Sequence, residues 1–169
     1  MRDTTTTSET TEWGDGDAGP DRHAAVELAW RPWHLISQGR VVEGLSVLDD
    51  AGTWWEMASR AEQPMTHIKA VLAEILAVVP MTFELIGSVV EGQRVALMVE
   101  SHGSVDENTT YNNAYTFVTD LDLSRQTIVA VREYVDTLHA ANVLIPVVIR
   151  AIRERGGESA LAHLFGGPD

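Results

Sequence analysis

The sequence contains no cysteine, a single lysine (Lys69) and no apolar run long enough to cross a membrane. Without cysteine, the chain forms no disulfide and offers no thiolate ligand to a metal. A net charge of -13 leaves no basic surface for phosphate groups, so we expect no nucleic-acid partner. A membrane span needs about 18 consecutive apolar residues, and the chain also starts without an apolar leader segment. We therefore expect a cytoplasmic protein that does not bind membranes.

The overall composition is that of a globular domain. Hydrophobic residues make up 44% and charged residues 22% of the 169 positions, which suits one domain with a sizeable core. Residues 1–21 differ, because they are rich in Thr, Asp and Gly and contain one aromatic residue, Trp13. Such a segment buries too little apolar surface to offset its ordering entropy. The composition predicts a disordered acidic tail over residues 1–21.

Apolar periodicity predicts helices first, then strands, then helices again. Helical spacing of apolar residues predicts helices at residues 22–38, 41–48 and 63–79. Alternating patterns between turn residues predict strands at residues 53–57, 81–90, 94–104, 111–120 and 127–136. Asp136 can cap a following helix, which Pro146 interrupts. This order predicts an α+β fold in which an antiparallel sheet curves around the N-terminal helices, with a C-terminal helical extension at residues 140–169.

Two of the predicted strands carry a glutamate where an apolar residue is expected. Side chains alternate between the two faces of a strand. The faces assigned to the interior carry Met98, Glu100 and His102 on one strand and Val131, Glu133 and Val135 on the other. A carboxyl group in dry surroundings has its charged form disfavoured, which moves its pKa towards the range useful for proton transfer. The two glutamates predict an acid/base site, and the alternative is that both are solvated on an open sheet face.

Other polar residues on these faces are candidates for the same site. His102 is an acid/base candidate because imidazole titrates near neutral pH, the alternative being a plain polar residue at the rim of the sheet. Tyr111, Asn113 and Tyr115 share one face of their strand. They could donate hydrogen bonds to an oxygen that gains charge, or they could serve only cross-strand packing.

Four segments resemble the SnoaL-like group of the NTF2-like (ketosteroid isomerase-like) superfamily. They are Thr53-Trp-Trp-Glu-Met57, Gly92-Gln-Arg-Val-Ala96, Tyr111-Asn-Asn113 and Val131-Arg-Glu-Tyr-Val-Asp-Thr137. The resemblance covers residues 22–139 and implies an α+β cone, in which a strongly bent sheet encloses a deep apolar pocket. It also implies a homodimer without a cofactor or metal. Members of this group include polyketide cyclases, steroid isomerases, dehydratases, epoxide hydrolases and proteins that only bind ligands.

The final strand is also similar to that of limonene-type epoxide hydrolases. The resemblance implies that Glu133 is the base and that Glu100 donates a proton. Met98 replaces the arginine that bridges the two acids, and the Tyr and Asn that hold the water correspond to Trp55 and Met57. The pocket side chains expected to contact substrate are Trp55, Met57, Met98, Tyr111, Asn113, Tyr115, Val131 and Val135.

The sequence therefore predicts a metal-free acid/base enzyme acting on a largely apolar small molecule. The reaction classes are cyclisation, isomerisation or dehydration of a polyketide- or terpenoid-like substrate. The alternatives are epoxide opening, by water or an internal hydroxyl, and a binding or assembly module without turnover. We expect residues 140–169 to lie over or near the pocket mouth. We also expect a homodimer through the opposite sheet face, to which alternation assigns Val95, Leu97, Val99, Ala114 and Val118.

Overall fold

The computed structural model describes residues 20–157 of the chain. The helices are α1 (Pro20–Ser37), α2 (Val41–Ser46), α3 (Met65–Val78), α4 (Thr137–His139) and α5 (Ile145–Glu154), and a π-helical turn at Ala140–Leu144 joins α4 to α5. The strands are β1 (Leu48–Glu56), β2 (Ala61–Pro64), β3 (Met81–Glu91), β4 (Arg94–Ser104), β5 (Thr110–Asp122) and β6 (Thr127–Val135). Residues 1–19 of the predicted tail and residues 158–169 of the predicted extension lie outside the described residues. Helix α1 already includes Pro20 and Asp21.

The strands form one six-stranded sheet in the order β2-β1-β6-β5-β4-β3. The predicted antiparallel meander from β3 to β6 is confirmed, but the sheet is mixed because β1 runs parallel to β6. The chain between those two strands, residues 57–126, passes through α3 and the meander, so β6 returns in the direction of β1. Strand β2 was not predicted, since it is four residues long and ends at Pro64.

Strand β1 begins five residues before the predicted start, at Leu48. The Asp49-Asp-Ala-Gly52 sequence, which predicts a turn, forms an irregularity within the strand, and the pairing with β6 shifts between Leu48 and Thr53. A Cβ atom at Gly52 would lie 2.5 Å from the carbonyl oxygen of Val129. Glycine is therefore required there for β1 to approach β6.

Helix α1 packs against the inner face of the sheet through an aromatic cluster. The Trp33 ring stacks on Phe117 with centroids 4.2 Å apart, and it lies 5.1 Å from Phe83 and 6.3 Å from Trp54. The buried face of α1 also contains Ala25, Leu28, Ala29 and Ile36. This packing fixes which face of each strand is interior.

The inner face of β4 is the opposite of the predicted one. Val95, Leu97, Val99 and Ser101 are buried, whereas Met98, Glu100 and His102 are exposed. Residues 95–99, Val-Ala-Leu-Met-Val, are apolar at odd and even positions alike. Alternation alone therefore could not decide which face of β4 is interior. Because α1 covers the Val95, Leu97 and Val99 side, these residues belong to the core and not to the outer surface assigned to a dimer.

The C-terminal helices belong partly to the core. Asp136 caps α4, as predicted, because its Oδ1 atom accepts hydrogen bonds from the backbone N–H groups of Leu138 and His139 at 3.0 Å. The predicted interruption at Pro146 takes the form of the π-helical turn that precedes it, and Pro146 itself lies in the first turn of α5. Leu144, Val148 and Ile152 are buried. Within residues 20–157, no helix combines the length and apolar character that a membrane crossing demands.

Candidate active site

The inner face of the sheet, α1, α3 and the π-helical turn enclose a cavity of about 1280 Å³. This volume is large enough for a multi-ring small molecule. Helix α3 supplies an apolar wall of Ile68, Val71, Leu72, Ile75 and Leu76. The sheet and α1 supply aromatic rings from Trp33, Trp54, Phe83, Tyr111, Tyr115 and Phe117. The acidic lining residues are Glu56, Glu62 and Glu133, and no described lining residue is Lys or Arg.

Glu133 lies on the wall of this cavity, on the inward face of β6 as predicted. The indole Nε1 of Trp54 donates a hydrogen bond to its Oε2 atom at 3.2 Å. Burial raises the pKa of Glu133 to about 7, the Trp54 hydrogen bond opposes this rise, and the negative charge of Glu56 adds to it. The carboxyl group therefore gains and loses its proton near neutral pH.

Glu56 is the second acid beside Glu133, and the sequence prediction missed it. The two glutamates are register partners on the parallel strands β1 and β6, and both line the cavity. The sequence did contain one indication of this site, because Glu56 is two residues from Trp54 and therefore lies on the same face of the strand. Sequence alone did not show which tryptophan of the Trp54–Trp55 pair points inward.

Tyr111 and Tyr115 form a hydrogen-bonded pair on the cavity wall, with their Oη atoms 3.1 Å apart. Burial raises the pKa of each phenol, so both stay neutral at physiological pH. Asn113 Nδ2 donates to Tyr111 Oη at 2.8 Å and to the carbonyl oxygen of Asp136 at 3.0 Å. The pair has two phenolic protons, and the bond between the rings uses one. Ser101 also hydrogen-bonds Tyr115 and lowers its pKa, as a donor does. The second phenolic O–H group is therefore left for a further acceptor.

Asn113 itself does not line the cavity, although the sequence predicts that it contacts substrate. Both of its amide protons are used, and its Oδ1 atom accepts the backbone N–H of Ala114 at 2.8 Å. The side chain therefore orients Tyr111 and has no amide proton to offer a ligand. Of the predicted valines, Val135 lines the cavity, whereas Val131 is buried in the core.

The remaining predicted site residues lie on the outer face of the sheet or beyond its edge, away from the cavity. Met98 and Glu100 are exposed because α1 covers the other face of β4. His102 lines a smaller cleft of about 540 Å³, where its Nε2 atom lies 3.7 Å from Glu84 Oε2. The expected meeting of Glu100 and His102 with Glu133 is therefore wrong.

The sequence analysis also placed Trp55 and Met57 in the pocket, and this prediction is wrong. Trp55 packs on the outer face against Tyr134, with ring centroids 5.4 Å apart, and the Arg132 guanidinium lies 4.7 Å above its ring. Met57 is 41% exposed. Strand β1 turns Trp54 inward instead, so Trp54 and Glu56 occupy the cavity positions that the resemblance assigned to Trp55 and Met57.

Helix α3 contributes a polar lining residue that the sequence did not single out. His67 in its first turn follows the same helical row as Val71 and Ile75, which also line the cavity. These three residues are four positions apart in the sequence, and this spacing places them on one face of the helix. Among the residues that the structure describes, no group of three or more His, Asp or Glu side chains could hold a metal ion.

The comparisons with known proteins find similar folds at low sequence identity. No family model and no curated protein matches the sequence. PrhC from Penicillium brasilianum NBRC 6234 is 12% identical, covers 84% of this chain and 96% of its own, and has a TM-score of 0.65. A protein designated a SnoaL-like polyketide cyclase from Jannaschia sp. CCS1 is 14% identical over 76% of this chain and 96% of its own, with a TM-score of 0.63. An NTF2-like protein from Burkholderia xenovorans LB400 is 20% identical over 72% and 96%, with a TM-score of 0.56. Such identities establish a shared architecture only.

Proposed function

Because this chain has the SnoaL-like, NTF2-like fold, we propose that it is an acid/base enzyme that moves a proton on a largely apolar small molecule. The reaction class is isomerisation, cyclisation or dehydration of a polyketide- or terpenoid-like compound. The observation that carries this proposal is Glu133, a carboxyl group on the wall of an apolar cavity with a pKa of about 7. A base with a pKa near the operating pH is both available and strong enough to remove a proton.

Glu133 is suited to the role of general base by its hydrogen bonding. The Trp54 indole occupies Oε2, and Oε1 makes no hydrogen bond to any described residue. The indole N–H can only donate, so it holds the carboxyl group in one orientation without competing for its proton. Oε1 is then the atom that accepts a proton from the substrate.

The tyrosine pair is suited to holding the substrate oxygen that gains charge. Phe117 is the register partner of Glu133, and Tyr115 is the partner of Val135 two residues farther along β6. Diagonal positions of this kind are roughly 7 Å apart at the backbone, and both side chains line the cavity. Burial chiefly raises the pKa of Tyr115, and the charge of Glu133 adds to this rise, as expected for groups that lie close together. A base and an O–H donor in one cavity suit a substrate carbon and the oxygen of the adjacent carbonyl group, as proton removal next to a carbonyl requires. Glu100 and His102 are on the outer side of the sheet and have no part in this proposal.

The charge of the cavity favours an uncharged substrate. Its described lining contains Glu56, Glu62 and Glu133 and no Lys or Arg. A carboxylate or phosphate ligand would meet like charge without a compensating Lys or Arg in the described lining, which is unfavourable in a low-dielectric cavity. We expect neutral ketones to bind better than carboxylic acids of the same shape.

The test uses hydrogen exchange into neutral bicyclic and tricyclic ketones in heavy water, followed by NMR. The wild-type protein should exchange the protons next to the carbonyl, with a rate that rises as pH passes through about 7. Glu133→Gln should lose about 10² to 10⁴ of the rate and keep ketone affinity, measured by tryptophan fluorescence, within about tenfold. Glu100→Gln makes the same substitution on the outer face and should behave as wild type. Equal exchange by Glu133→Gln would remove the proposed base, and tight binding with no exchange by any form would favour a binding module.

Epoxide opening is a second candidate because two acids lie side by side in the cavity. Glu56 and Glu133 are register partners, so one could protonate the epoxide oxygen while the other activates a hydroxyl or water nucleophile. Neutral cyclic epoxides distinguish this reaction from ketone chemistry. Diol or cyclic ether formation that requires both Glu56 and Glu133, without ketone exchange, would favour epoxide opening.

A further inference from the structure

We propose that Glu56 is the proton-relay partner of Glu133, returning the proton that Glu133 takes from the substrate to the mouth of the cavity. This inference rests on the proposed function of Glu133. Glu56 is the only titratable residue among the register partners of Glu133 on the two neighbouring strands, the other partner being Phe117. Register partners on parallel strands project to the same face, and both glutamates line the cavity.

Glu56 lies beside the exposed turn that follows β1. It is the last residue of β1, and its other register partner is Ala61, at the start of β2. The residues that follow it, 57–60, are exposed, and Ala58, Ser59 and Glu62 line the cavity with it. A proton on Glu56 is therefore close to the exposed turn at residues 57–60.

The immediate neighbours of Glu133 give its proton few other routes. Trp54 donates to Oε2, and an indole N–H cannot accept a proton. Val131 and Val135 flank Glu133 on the same face of β6, and neither side chain titrates. The titratable residues that face the cavity, from every described element around it, are Glu56, Glu62, His67, Tyr111, Tyr115 and Glu133.

The relay conserves protons over one cycle. Ionised Glu133 accepts a proton from a substrate carbon, whose C–H electron pair becomes the enolate, and Glu133 becomes neutral. Its proton then passes to ionised Glu56, directly or through one water, and from Glu56 to water at the mouth. Glu133 is ionised again, and the enolate later takes a proton from the same path in reverse.

The electrostatic coupling of the two acids supports this arrangement. The charge of Glu56 contributes to the raised pKa of Glu133, although burial is the larger cause. A protonated Glu133 next to an ionised Glu56 is thus favoured over two adjacent charges. Near neutral pH, Glu56 and Glu133 therefore hold one proton between them, and a relay requires this state.

The first experiment needs no turnover. Protein labelled with carbon-13 at the glutamate carboxyl groups is titrated by NMR as wild type, Glu56→Gln, Glu56→Asp and Glu62→Gln. The pKa of Glu133 should fall in Glu56→Gln and stay near the wild-type value in Glu56→Asp and Glu62→Gln. An unchanged Glu133 titration in Glu56→Gln overturns the relay whatever the activity of the protein.

The second experiment measures the relay itself by ketone exchange in heavy water at pH 8.5. Glu133 is largely ionised in every variant at this pH, so a change in its pKa no longer affects the rate. Glu56→Gln should lose about tenfold or more of the exchange rate, and added imidazole buffer should restore part of it. Glu56→Asp should keep most of the rate, and Glu100→Gln, on the outer face of the sheet, all of it. Wild-type exchange by Glu56→Gln overturns the relay, whereas wild-type exchange by Glu133→Gln overturns the proposed base instead.

Discussion

The fold disfavours the charged form of Glu133, and this has a measurable effect on stability. Its pKa rises from an ordinary value of 4.5 to about 7, chiefly through burial. Because the pKa is raised in the folded state, the protonated form stabilises the fold. This stabilisation is complete below about pH 4.5 and is lost as pH rises through about 7.

Glu133→Gln should therefore gain stability relative to wild type as pH rises. The rise in pKa corresponds to about 3 kcal/mol of differential stability between the two protonation states. The free energy of unfolding of both proteins is measured in urea at pH 5 and pH 8.5. From the lower to the higher pH, the value for the variant should rise relative to that for wild type by up to this amount. Glu100→Gln, on the outer face, should show no such rise. A constant difference at both pH values would contradict the raised pKa.

At the scale of single residues, parity predicted some site residues and misassigned others. Glu133 was found because its parity with Val131 and Val135 agrees with the family resemblance, and Tyr111 and Tyr115 were found because they share a parity with Phe117. Glu100 was misassigned because the preceding residues of β4 are apolar on both faces. Glu56 was missed because either of two adjacent tryptophans could have pointed inward, and only the packing of α1 and α3 decides this.

At the scale of elements, α5 and the preceding π-helical turn serve both the core and the cavity. Leu144 is buried and also lines the cavity, whereas Ile152 is buried without lining it. The sequence predicted helices near the pocket mouth but not this division, which depends on how the turn rotates α5 against α3. Residues 158–169 of the predicted extension remain a prediction.

Two alanine variants separate these contributions. Leu144→Ala and Ile152→Ala should each lower the free energy of unfolding by about 2 to 5 kcal/mol, because each removes buried apolar volume. Leu144→Ala should also weaken binding of a neutral tricyclic ketone, and Ile152→Ala should leave the affinity unchanged. Urea unfolding and fluorescence titration give the two quantities. If both variants changed the ketone affinity equally, this segment would contribute to binding only by stabilising the fold.

At the scale of the whole molecule, the outer sheet face carries several exposed apolar side chains among charged ones. Tyr134, Thr116 and Met98 are consecutive register partners across β6, β5 and β4 on this face. Tyr134 is 40% and Met98 42% exposed, and Ile86 and Val89 on β3 are 55% and 61% exposed. Exposed apolar patches of this kind usually mark interfaces, so we propose that two copies of the chain associate here.

Sedimentation at micromolar concentration should report about twice the chain mass. Met98→Glu places a charge in the centre of the patch and should shift the protein towards a monomer without unfolding it, since Met98 is already partly exposed. His67→Gln, on the cavity side, is the control and should leave the association unchanged. A wild-type monomer under these conditions would exclude this interface.

The π-helical turn at Ala140–Leu144 also determines where this segment tolerates a change of length. Such a turn accommodates one residue more than an α-helical turn. Excising one residue here would let the turn adopt α-helical winding, so Val148 and Ile152 would keep their buried face. Excising one residue within α5 itself would instead turn every later side chain by about 100° around the helix axis. Homologous chains should therefore gain or lose a single residue more readily in this turn than within α5.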